Sequence, residues 1–267
     1  VAPKKRPAKA VRSEPPAALH APPAALHTPE SVAILGLGPS LEAYADITKR
    51  QGARRAMFDE VWGINAAIDV FNCDRGLHMD DVRVQEIRAA ARPKSNIAAM
   101  LPWLKKHPGP IYTSVPHPDY PGLVPYPLEA VLNSCGRTAY FNSTGAYAVA
   151  LAVHMGVKKI YLFGIDYSFQ GSHEAEKGRA CVEFYLGIHK ARGGIIGLPA
   201  GTTLMDGIAT KQERLYGYDG MDLSFSGDDD QPLRVTFTPR DLPTADEIET
   251  RYDHGKPTVP EELLRKS

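Results

Sequence analysis

The stretch that decides the fold reads Asn142-Ser143-Thr144-Gly145-Ala146-Tyr147-Ala148-Val149-Ala150-Leu151-Ala152-Val153-His154-Met155-Gly156-Val157-Lys158-Lys159-Ile160-Tyr161-Leu162-Phe163-Gly164-Ile165-Asp166. Asn142, Ser143 and Thr144 offer short capping side chains, residues 146–155 make a compact apolar helix, and Gly156 stops it. The run 159–163 is then a continuous apolar strand closing on Gly164-Ile165-Asp166. A helix apolar nearly all round, followed by a strand without polar alternation, is the pattern of a helix packed on a buried parallel strand.

Units of the same kind extend outward on both sides. Val32-Ala33-Ile34-Leu35 is a short apolar strand that ends in Gly36-Leu37-Gly38-Pro39-Ser40, and residues 41–50 read as a helix with Ser40 as N-cap or first-turn residue. Strands are predicted at 60–65, 76–79 and 110–115, and helices at 84–91 and 97–106. A Pro-rich passage, 116–127, leads into a helix at 128–132, and a helix at 175–190 with the run 194–198 completes the last unit. Alternating β and α predicts an α/β fold: a single Rossmann-like, doubly wound, mostly parallel sheet with its ligand crevice at the carboxyl ends of the strands.

The flanks read differently. Residues 1–30 are rich in Pro and Ala, repeat PPAALH at 15–20 and 22–27, and carry Lys4, Lys5, Arg6, Lys9 and Arg12. Pro at that density blocks helix and removes backbone donors, so this is a flexible basic tail. It serves as a solvated linker, or as a contact for nucleic acid, a membrane surface or an acidic partner. Residues 31–217 form the ordered α/β core, and 218–267 a polar C-terminal extension with Asp228-Asp229-Asp230, one strand at 233–237 and an exposed terminal helix.

Composition bounds the function. The 267 residues carry 31 basic and 31 acidic side chains, a balance that argues against holding nucleic acid by bulk charge. At 43% hydrophobic the chain supports a sizeable core, yet no apolar stretch approaches the ~18 residues of a membrane span. Cys73, Cys135 and Cys181 are odd in number and include no C-x-x-C pair, which excludes a disulfide framework or zinc knuckle and points to a reducing cytoplasm. No signal peptide is visible.

Five places could carry chemistry. Gly36-x-Gly38 lets backbone N–H groups approach an anion at a helix N-terminus, or makes a tight β–α turn with no ligand. It fails as a dinucleotide fingerprint, because Leu41 holds the third glycine position and the second strand ends in Asn65 instead of an acidic ribose ligand; a Walker A loop is absent as well. Asn142-Ser143-Thr144-Gly145 can bind a phosphate or sugar oxygen, whereas simple capping would use only one of its side chains. In Gly164-Ile165-Asp166-Tyr167-Ser168, Asp166 faces the same crevice as Gly36 and Asn65, unless it is a helix cap or an acceptor for loop amides. His173 precedes a late helix and suits general-base work, or is merely solvated. His78-Met79-Asp80-Asp81 ends another strand, and its two acids either bind a divalent metal with nucleotide phosphates or are solvated. His154, on an otherwise apolar helix, reads as a satisfied core histidine.

Residues 34–41, then Val61-Trp62-Gly63-Ile64-Asn65, Ser143-Thr144-Gly145-x-Tyr147 and residues 159–166, resemble in order the bacterial lipooligosaccharide sialyltransferases. They are equally similar to the related Rossmann-like flagellin-modifying motility accessory factors and 6-hydroxymethylpterin diphosphokinase-like proteins, and many small phage-encoded proteins look alike. The resemblance spans 31–198 and implies a glycosyltransferase moving a sugar from a nucleotide-activated donor, CMP-type favoured, to an acceptor hydroxyl. It implies Gly36, Gly38, Ser40, Asn65, Ser143, Thr144 and Gly164 as nucleotide-binding, joined by Gly145 and Asp166 from the two turns read above, and His173 as base. The tyrosine that supports the leaving phosphate in the family falls at Ser168, beside Tyr167. No metal is then obligatory, and the site is cytoplasmic, in a host cell if phage-encoded. The family places Asn where this chain has Leu37, and Asn near the position of Asp80-Asp81. Those acids favour the alternative of a Mg-dependent pyrophosphokinase-like enzyme with Asp80 and Asp81 as metal ligands; a further alternative is a non-catalytic nucleotide-binding or phage structural protein. Acceptor and oligomeric state have no signature in the sequence.

Overall fold

A computed structural model describes residues 28–53, 57–167, 173–206, 215, 217–218, 220–227, 231–242 and 244–247. The Pro/Ala tail up to residue 27 and the expected terminal helix lie outside the described residues. Seven strands form one parallel sheet: β1 (Ser31–Leu35), β2 (Glu60–Ile64), β3 (Arg75–Leu77), β4 (Ile111–Thr113), β5 (Leu123–Pro125), β6 (Lys159–Phe163) and β7 (Ile195–Gly197), in the order β5-β4-β3-β2-β1-β6-β7. Every pairing within it is parallel. The helices are α1 (Leu41–Gln51), α2 (Ala67–Val70), α3 (Val82–Ala91), α4 (Asn96–Leu104), α5 (Leu128–Ser134), α6 (Thr144–Met155) and α7 (His173–Ala191). The architecture is Rossmann-like α/β.

Strand alternation distributes side chains to two layers. Val32, Ile34, Trp62, Leu77, Tyr112, Ile160 and Leu162 pack with Val131 of α5 and its C-cap Cys135, with α6, and with Cys181, Val182, Tyr185 and Leu186 of α7. On the other face, Ala33, Leu35, Val61 and Phe163 meet Tyr44 of α1 and Phe58. Further along that face, Ile111 and Leu123 meet Ile68 of α2, Val82 of α3, and Leu101 and Leu104 of α4. Helix α6 buries eight residues between Gly145 and Val153, which is why its sequence lacks a polar stripe.

Several boundaries differ from the sequence reading. Helices α6 and α7 each start two residues earlier than expected, α6 because Ser143 is the N-cap and its side chain accepts from the Ala146 N–H. The Pro-rich passage hides β5, an edge strand in which Pro125 is tolerated because its missing N–H faces no partner strand. The single strand expected at 233–237 is β9 (Arg234–Pro239), paired antiparallel with the unforeseen β8 (Met221–Ser226). Met221↔Pro239, Leu223↔Phe237 and Phe225↔Val235 form one apolar row, and Asp222↔Thr238, Ser224↔Thr236 and Ser226↔Arg234 a polar one.

Candidate functional site

The strand order reverses between β1 and β6, and in an open parallel sheet that reversal opens a crevice at the carboxyl ends. The turn after β1 and the turn after β6 form its floor, and they are bonded directly to each other. Gly36 N–H donates to the Phe163 carbonyl at 2.8 Å and Gly38 N–H to the Gly164 carbonyl at 2.7 Å. Gly164 N–H donates to Ser40 Oγ at 2.8 Å, and Ser40 N–H to Asp166 Oδ2 at 2.7 Å. The glycines are dictated by this approach: a Cβ on Gly36 would stand 2.3 Å from the Gly164 oxygen, and one on Gly38 2.8 Å from Asp166 Oδ2. Gly164 itself takes φ +67.

This latch gives the N-terminus of α1 a carboxylate of its own. Asp166 Oδ2 is bound to the Ser40 amide, while Asp166 Oδ1 is buried without a hydrogen-bond partner. A phosphate at the mouth of α1 would meet a like charge; a hydroxyl or amine would meet an acceptor.

The N-terminus of α6 has the opposite character. Ser143 Oγ accepts from the Tyr167 hydroxyl at 2.9 Å and from the Ala146 N–H at 3.4 Å, so its own proton is left to donate, to Cys181 Sγ at 3.6 Å or to a guest. Thr144 Oγ1 donates to Asn65 Oδ1 at 3.4 Å, which leaves the Asn65 amide nitrogen as a donor. Asn65 sits at φ 50, a conformation asparagine tolerates better than most residues. The first N–H groups of α6 lack intrahelical acceptors and add the positive end of the helix dipole. Burial pushes the Tyr167 phenol up to about 12, with the Ser143 bond acting in the other direction. The Tyr167 ring occupies a slot cut by two helical glycines: a Cβ on Gly145 would lie 3.2 Å from its hydroxyl, and one on Gly178 2.4 Å from its ring.

Among the remaining candidates, Asp80 and Asp81 follow β3 at the same edge. His173 begins α7; its side chain lies outside the described residues, as does Ser168. Asp80 is exposed, whereas Asp81 caps α3, accepts from the Arg83 N–H and pairs with the Arg83 guanidinium, which holds its carboxyl below the usual range. Among the described residues no group of three or more His, Cys, Asp or Glu side chains is placed to hold a metal ion. No described helix is long and apolar enough to cross a membrane. His154 is bonded to Ser134 Oγ at 3.0 Å. Thr113, which sequence reasoning missed, and the imidazole of His78, which it quoted only as part of the motif ending β3, are buried without partners at the ends of β4 and β3. Nothing local marks them; their placement comes from strand register.

No family model matches the chain, and no curated protein matches it. Among solved structures, the chain is similar to the sialyltransferase CstII from Campylobacter jejuni in complex with a substrate analogue, cytidine-5'-monophosphate. The identity is 15% and the TM-score 0.42, over 83% of this chain and 96% of that chain. The likeness is distant.

Proposed function

We propose that residues 31–217 are a glycosyltransferase that moves a sugar from a nucleotide-activated donor to an acceptor hydroxyl. The observation that carries the reading is the polarity of the crevice: donors only at Ser143, Asn65 and the start of α6, and an unpartnered carboxylate oxygen at Asp166. A phosphate fits the first end and a ribose hydroxyl or base amine the second, so a nucleoside monophosphate leaving group spans the two. A CMP-type donor agrees with the resemblance of the Gly36–Ser40, Asn65 and Ser143–Thr144 motifs to the sialyltransferases. Gly36, Gly38 and Gly164 then act by letting the two turns of the floor close on each other, and Gly145 by admitting the Tyr167 hydroxyl beside Ser143. Tyr167 supports the departing phosphate through Ser143.

In the transfer step the acceptor oxygen forms a bond to the anomeric carbon as the bond from that carbon to the phosphate oxygen breaks. The electron pair leaves with the nucleotide, and His173 takes the acceptor proton. The donor groups at α6 stabilise charge growing on the phosphate. The test is a thermal-shift screen of CMP, CDP, UDP, GDP and ATP, with and without Mg²⁺, followed by donor turnover. A ligand at a hundred times its dissociation constant adds about 2.7 kcal/mol of stability. CMP binding without Mg²⁺, with transfer lost in His173→Ala, supports the reading. Mg²⁺-dependent consumption of ATP would replace it with pyrophosphoryl transfer, and full transfer by His173→Ala would remove the base.

A further inference from the structure

His78 is 1% exposed and Thr113 is 0% exposed, and neither imidazole nitrogen nor the Thr113 hydroxyl has a hydrogen-bond partner. The two residues are neighbours by register. Leu77 pairs with Tyr112, and the His78 N–H extends the ladder by donating to the Tyr112 carbonyl at 2.9 Å, so His78 and Thr113 stand one residue further on adjacent parallel strands. Adjacent strands lie about 4.8 Å apart, which places same-rung side chains side by side. Leu77 and Tyr112 point into the layer under α6, so alternation turns His78 and Thr113 to the opposite face. One residue beyond, Ser114 Oγ donates to the Met79 carbonyl at 3.0 Å and ties the two loops together across the edge.

Buried hydroxyl and imidazole groups in folded proteins are almost always satisfied, because leaving one unpaired forfeits the hydrogen bonds it had in water. Two polar side chains that are neighbours yet not hydrogen-bonded to each other are a setting for a bridging guest. A neutral imidazole offers one donor and one acceptor, and a hydroxyl offers both. The complement is a small uncharged group that donates and accepts at once.

We propose that His78 and Thr113 hold an internal water molecule beneath the Ser114–Met79 tie, bridging the ends of β3 and β4. This site is independent of the proposed sugar transfer. The experiment uses the full chain. Thr113→Val keeps the shape and removes the hydroxyl, and is expected to lower the thermal midpoint by about 2–4 °C, the shift of a lost hydrogen bond in a protein of this size. His78→Phe is expected to lower it too, and the double variant by less than the sum of the singles. In the unmodified protein, long-lived water cross-peaks to the His78 and Thr113 resonances are expected by NMR. A midpoint for Thr113→Val equal to or above that of the parent overturns the proposal, since it would mean that the hydroxyl was stranded. So does the lack of a water cross-peak, which would indicate a direct His78–Thr113 bond; neither readout depends on His78→Phe folding.

Discussion

At the scale of single residues, the floor of the crevice is set by what is missing. Gly36 and Gly164 approach until no Cβ fits, and the same glycine that suggests a phosphate loop is here required by a contact with a residue more than a hundred positions later. Gly36→Ala is expected to cost at least about 2 kcal/mol in urea unfolding, because backbone, not a flexible side chain, must give way. Asp166→Asn separates charge from geometry. Its amide oxygen still accepts from the Ser40 N–H, so the fold survives, while affinity for a ribonucleotide falls about tenfold, measured by calorimetry. The sequence named most of the residues along this edge, since capping side chains and turn glycines carry local signals. It did not name His78 and Thr113 as a pair, because what joins them is strand register.

At the scale of elements, α6 shows how much a helix can be read from composition alone. Its eight buried residues left no period to detect, and burial on a parallel sheet was the only arrangement that fits such a sequence. Leu151, 2% exposed, is expected to lose about 2–5 kcal/mol on Leu151→Ala. The short β5 and α2 escaped because three or four residues beside prolines and turns carry no period of their own. Helix α7 supplies a matched pair of glycines. Gly178→Ala drives a methyl into the Tyr167 ring and is expected to destabilise by about 1–3 kcal/mol and release Ser143. Gly187 has open space around it, so Gly187→Ala is expected to stabilise by about 0.5–1 kcal/mol in the same urea measurement.

At the scale of the molecule, burial couples stability to pH. His78, His107 and His189 are all held below their ordinary pKa by burial, which comes first among the causes for each. The unfolded chain therefore takes up protons near pH 6.5 that the folded chain refuses. Stability from these histidines is fully present above that value and is lost as pH falls below it toward the depressed folded pKa values. The urea midpoint is expected to be lower at pH 5.5 than at pH 7.5, and a flat profile would show that these imidazoles titrate normally in the folded protein.

The central strand β1 has one neighbour close in sequence, β2, and one far away, β6, and the Ser40–Asp166 bond that seals the crevice spans 126 residues. On the ribosome, the first half of the sheet emerges long before the strand that completes β1. The apolar edge of β1 must wait, unpaired, until residue 163 is made, and local contacts cannot shorten that delay. Chains released early would display that edge to one another, so synthesis that stalls between α1 and β6 is expected to yield aggregates, and the crevice is among the last features of the nascent chain to exist.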